Sequence, residues 1–122
     1  MKVFLLLGVL NGFLAVALGA FGAHGLEGKI TDHMLNIWEK AVNYQMFHTM
    51  ALLVTGLLAM KIQNLSIHWS GWLFFIGIVL FSGSLYIYST TGIKTFAMIT
   101  PFGGITFLIA WILLGYSIVK YL

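Results

Sequence analysis

The chain has 122 residues, 61% of them hydrophobic and only 7% charged, against the roughly 25% charge usual in water-soluble domains, so composition excludes an ordinary soluble fold. The net charge of +3 rests on six basic residues, all lysines scattered singly near predicted helix ends, and without a basic patch a nucleic-acid partner is excluded too. No cysteine is present, which removes disulfides, thiolate metal sites and cysteine nucleophiles.

Apolar stretches predict four transmembrane helices, at residues 3–23, 33–60, 69–89 and 101–119. Each holds roughly 20 apolar residues, enough at about 1.5 Å rise to cross a hydrocarbon core of about 30 Å. Only helices satisfy their own backbone in lipid, and the stretches lack barrel-like alternation. The expected fold is all-α, an integral membrane bundle of four transmembrane helices, with residues 1–122 as one domain because the connections are short.

The first stretch follows Met1–Lys2 and ends in Gly19-Ala20-Phe21-Gly22-Ala23, which mimics a secretory signal. Its apolar run is longer than the ~7–15 residues of such a signal, and further spans follow, so an uncleaved helix is expected. Gly8, Gly12, Ala15, Gly19 and Ala23 form a small-residue stripe. Such a stripe permits close helix approach, either within the bundle or between subunits of a homo-oligomer. Asn11 adjoins it as a hydrogen-bonding residue between helices or a substrate contact.

Gly25 and Gly28 break the first helix, and Thr31 or Asp32 is the expected N-cap of the next, which starts at the membrane surface and enters lipid near residue 41. Ala41, Tyr44, Gln45, His48, Leu52 and Thr55 share a face at 100° per residue. His48 lies inside the hydrocarbon, where an ionisable residue is a functional hypothesis by default. The competing reading is a neutral histidine bonded to a neighbour. Lys61–His68 is expected to be a turn, with His33 and His68 at the surface. The third helix carries Ser82, Ser84, Tyr86 and Ser89 and ends at Thr90-Thr91-Gly92.

Thr100–Pro101 predicts a helix start, since proline at the first helical position forfeits no bond. Gly103 and Gly104 would then stand in the first turn, where free amides and the dipole favour an anion. The alternative is a kinked helix from about Lys94. Lys2, Lys61 and Lys120 fall on one side of the membrane and Lys29, Lys40 and Lys94 on the other, so the lysine tally does not orient the chain. The acids on the second side and the free amino terminus on the first favour cytoplasmic termini, and insertion in either orientation stays open.

The antiparallel order gathers His24, Tyr44, Gln45, His48, Ser82, Tyr86, Thr100, Gly103 and Gly104 in one membrane half, as the candidate polar site. Two histidines with no carboxylate at a fixed helical offset make no metal site, and no cofactor is implied. The motifs Gly19–Leu26, Tyr44-Gln45 with His48, Phe81–Tyr86, and Thr100-Pro101 with Gly103-Gly104 and Trp111, in this order and spacing, resemble a small uncharacterised membrane-protein family. That family, a domain of unknown function, includes transmembrane protein 256 and many bacterial relatives. Phe102 stands where relatives are expected to have a small aliphatic residue. The resemblance implies a four-helix protein of the cell membrane and transfers no catalytic residue. Two functions remain: a small-solute or ion pathway with the polar half as its site, or a non-catalytic accessory or scaffold subunit. An enzyme is not expected, because no nucleophile is paired with a base.

Overall fold

The computed structural model describes residues 2–122, and these are helical nearly throughout, with no strand among them. The helices are α1 (Lys2–Gly25), α2 (Asp32–Leu58), α3 (Leu65–Ile78), α4 (Ser84–Thr91) and α5 (Lys94–Tyr121). A π-helical turn, Val79–Gly83, joins α3 to α4, so the two form one rod over Leu65–Thr91. Alpha1, this rod and α5 are long and apolar enough to cross a membrane. Alpha2 matches them in length, but Asn43, Gln45 and His48 dilute its hydropathy.

Local chemistry sets the boundaries. Thr31 Oγ1 accepts from the Met34 amide at 3.2 Å, so of the two expected N-caps of α2 Thr31 is the cap and Asp32 the first helical residue. Asn64 Oδ1 accepts from the Ser66 amide at 3.0 Å and starts α3 at Leu65, four residues before the expected start. His68 is therefore a half-buried helical residue beside Phe4, not a surface turn residue. Gly92, at φ 73°, closes α4 with its amide on the Tyr88 carbonyl, a left-handed cap that suits glycine.

The last helix corrects the expected start at Pro101. Alpha5 begins at Lys94 and runs through Pro101, as the kinked alternative had it. After the reversal at Gly92, Ile93 is extended and the chain re-enters a helix at once. Proline there leaves the Ala97 carbonyl without its usual donor, a loss that membrane helices tolerate when neighbours supply other bonds. Residues 94–99 thus form the first turns of α5.

Alpha1 packs along α2, α2 along the α3–α4 rod, and the rod along α5. The small stripe of α1 faces α2 as far as Gly19, with Gly8 against Leu53, Gly12 against Thr49 and Gly19 against Val42; beyond it Gly22 meets Trp38, while Ala23, the expected last member, is exposed. Of the two uses expected for that stripe, packing inside the chain is the one seen. Phe4, Leu52, Ile67, Phe74, Phe107 and Leu114 form the main core, and Leu26, Trp38 and Val42 a smaller one near the loops. Phe13, Phe102, Ile112 and Val119 point outward.

Candidate functional site

Gln45 sits on the side of α2 that meets both α1 and α4, and its amide uses both ends. Its Nε2 donates to Asn11 Oδ1 at 3.0 Å, and its Oε1 accepts from Tyr86 Oη at 2.7 Å. Asn11 Nδ2 in turn donates to the Leu7 carbonyl at 2.8 Å. One chain of donors and acceptors thus links three helices, with each interhelical bond worth about 0.6–1.7 kcal/mol in a membrane setting. Beside it, Ser82 Oγ donates to the Ala41 carbonyl at 2.7 Å, tying the π turn to α2. Trp38 Nε1 donates to the Leu18 carbonyl at 2.9 Å while its ring meets Tyr86 edge-on.

His48 faces the other way, toward α5. Its Nε2 lies 3.1 Å from Trp111 Nε1 and its Nδ1 2.8 Å from the Tyr44 carbonyl. An indole N–H can only donate, so Nε2 must offer its lone pair, and the ring hydrogen then sits on Nδ1 and is donated to the carbonyl. Both nitrogens are engaged and the imidazole is neutral. Phe107 stacks on the ring at 3.5 Å between centroids and 7° between planes, with Phe47, Phe74 and Trp111 around it. Neither ring nitrogen is unpaired.

Between α2 and α5 lies a cavity of about 790 Å³, open to the outside of the bundle. Tyr44, Phe47, Phe81, Pro101, Phe107 and Trp111 line it, so its walls are largely aromatic. Tyr44 stacks on Phe81 at 4.4 Å. The rod and α5 meet closely behind it. Ser84 Oγ and Thr100 Oγ1 are 2.6 Å apart, and a Cβ on Gly103 would stand 2.5 Å from the Phe81 nitrogen. The π turn is what brings that backbone to Gly103, and such turns recur at functional sites.

The candidate residues therefore divide into separate groups. Gln45, Ser82 and Tyr86 gather with Asn11 on the α1 side of α2. Tyr44, His48 and Gly104 border the cavity on the α5 side. Thr100 and Gly103 hold α5 to the rod. His24 is exposed at the end of α1. The anion site expected at Gly103 and Gly104 loses its basis, because a helix that starts at Lys94 engages those amides internally. Sequence reasoning missed Phe107 and Trp111 as partners of His48. A tryptophan in a lipid-facing helix needs an acceptor for its N–H, a clue for Trp111, whereas nothing marks Phe107 among so many apolar neighbours.

A profile of the family described as "Protein of unknown function (DUF423)" matches residues 18–104. The chain is 54% identical to the UPF0382 membrane protein YwdK of Bacillus subtilis, over all of both chains. It is 52% identical to a UPF0382 membrane protein of Staphylococcus aureus and 50% to one of Staphylococcus epidermidis, each over 99% of this chain and 98% of the relative. No solved structure matches it. The chain belongs to the DUF423 family, and its relatives are named as membrane proteins.

Proposed function

We propose that this DUF423 chain spans the cell membrane four times as one helical domain and serves as a non-catalytic accessory or scaffold protein, not as a solute pathway. The observation that carries the reading is the closure of its polar groups: among the described residues, no buried side-chain nitrogen or oxygen lacks a hydrogen-bond partner. A pathway needs polar groups turned toward water. Here Asn11, Gln45 and Tyr86 bond one another, and His48 is plugged between Phe107 and Trp111. What supports a fourth span is α2, whose residues beyond Lys40 carry no charge as far as Leu58 and whose length matches that of its neighbours.

Two measurements test this. Because the chain has no native cysteine, single cysteines at Lys29, Gln63 and Lys94 report sidedness directly. Lys29→Cys and Lys94→Cys should label from one face of the membrane and Gln63→Cys from the other; labelling of all three from one face in the same molecules would overturn the four-span reading. Proteoliposomes should pass protons, alkali cations, halides and small neutral solutes no faster than protein-free vesicles. A selective flux that His48→Ala abolishes in a folded protein would replace the scaffold with a pathway.

A further inference from the structure

The cavity between α2 and α5 is the feature that the hydrogen-bond closure leaves open, and we propose that it seats one anionic membrane phospholipid. Its body suits an acyl chain. From Pro101 to Trp111 the α5 wall extends ten residues, about 15 Å at helical rise, which is half of a hydrocarbon core of about 30 Å and so the depth of one leaflet. The volume of about 790 Å³ falls within the range of ligand pockets, roughly 300–1,000 Å³. Its floor is a rigid aromatic surface, with Phe107 held against His48 and Trp111 fixed by its bond to His48.

The upper end of the cavity is chemically different. Tyr44 and Asn43 line it, and neither the Tyr44 hydroxyl nor the Asn43 amide bonds to another group among the described residues. This sets them apart from Gln45 and Tyr86, whose polar atoms are engaged on the opposite side of α2. Lys40 precedes Asn43, Tyr44 and Phe47 by three, four and seven residues, which places it on the cavity-facing stripe of α2. Lys94 precedes Pro101 by seven, on the corresponding stripe of α5. Each wall of the mouth therefore ends in an exposed lysine. Glu39, the nearest acid on α2, stands about 100° from Lys40 and about 40° from Asn43, so one exposed carboxylate borders the mouth against the two lysines. Two cations and two free hydrogen-bonding groups above an apolar slot one leaflet deep complement a phosphate headgroup with a chain below it. The inference rests on the chain being embedded in the membrane, which the cysteine labelling tests separately.

Native mass spectrometry of the detergent-solubilised full chain, with phosphatidylglycerol and phosphatidylcholine of identical acyl chains, tests the proposal. Each lysine near an anionic surface is worth about a fivefold preference, so wild type should retain one phosphatidylglycerol at about thirtyfold over phosphatidylcholine. Lys40→Gln with Lys94→Gln should abolish the preference without touching the fold, since both side chains are exposed. Lys61→Gln with Lys120→Gln, at the opposite membrane face, should leave it intact. Gly104→Leu, whose Cβ meets only the Phe81 ring at 4.0 Å, should fill the slot and lose both lipids while the far-ultraviolet spectrum is kept. Equal retention of the two lipids by wild type would overturn the proposal. A preference untouched by the Lys40 and Lys94 changes, or abolished equally by the Lys61 and Lys120 pair, would do so as well. So would a lipid-free dimer, which would give the slot to a second copy.

Discussion

Gly103 and Gly104 are adjacent in sequence, yet alanine at the two positions should have opposite consequences. At Gly103 the added carbon would stand 2.5 Å from the Phe81 nitrogen and 2.8 Å from its Cα. Carbon contacts settle at about 3.5 Å, so the rod and α5 must separate by about 1 Å. The obstacle is backbone of the π turn, and no rotamer change relieves it. Overpacking of this kind costs about 1–3 kcal/mol. The same separation stretches the 2.6 Å contact between Ser84 and Thr100 beyond hydrogen-bond range, adding about 1 kcal/mol. Helix propensity returns up to about 1 kcal/mol, so Gly103→Ala should lose about 1–3 kcal/mol net. At Gly104 the new carbon meets the Phe81 ring at an unstrained 4.0 Å, and Gly104→Ala should be neutral or gain up to about 1 kcal/mol. Reversible unfolding in mixed micelles, followed by far-ultraviolet circular dichroism, measures both. Equal stabilities for the two variants would refute the close crossing of α5 over the π turn.

Gln45→Leu removes both interhelical bonds of the Asn11–Gln45–Tyr86 chain and leaves the partner atoms unpaired, so the same unfolding assay should show a loss of about 2–4 kcal/mol. A loss below about 0.5 kcal/mol would mean that Asn11 and Tyr86 find other partners readily. His48→Phe keeps a ring to stack on Phe107 but strands the Trp111 N–H, and should cost about 1–2 kcal/mol. A double-mutant cycle with Trp111→Phe should recover about 1 kcal/mol of that as coupling, and additivity would show that the two residues do not bond.

The helical layout was largely legible because length and hydropathy are additive along a sequence, and the N-cap at Thr31 and the cap at Gly92 follow from local chemistry alone. Asn64 is an equally local signal, but the run from Lys61 to His68 reads as a turn throughout and hides it. Pro101 misled for a physical reason. Its missing amide hydrogen suits a helix start, and the rule does not register that lipid-embedded helices often carry proline inside. The π turn left no trace in hydropathy or capping pattern, and with it went the reason for Gly103. The candidate site was only partly legible. Gln45 and Tyr86 do bond, yet helical spacing put Gln45 and His48 on one broad face without revealing that α1 and α5 approach that face from opposite sides.

That division bears on what a polar membrane half is for. In a bundle surrounded by lipid there is no hydrophobic drive between helices, so specificity must come from close packing and from hydrogen bonds that lipid cannot supply. The glycine stripe of α1 provides the first against α2, and the Asn11–Gln45–Tyr86 chain provides the second across three helices. On the other side of α2 one histidine does similar work, since its two nitrogens join Trp111 on α5 to the α2 backbone at Tyr44. Both sets of bonds are complete without water, so the polar residues close the bundle instead of opening it. What stays open is the lateral face between α2 and α5, which is aromatic and open to the outside of the bundle, with the side chains of Asn43 and Tyr44 unbonded among the described residues. With the proposed lipid seat, partners would meet the protein from the side, within the plane of the membrane. A search for its role therefore begins with what the α2–α5 face holds, not with what crosses the bundle.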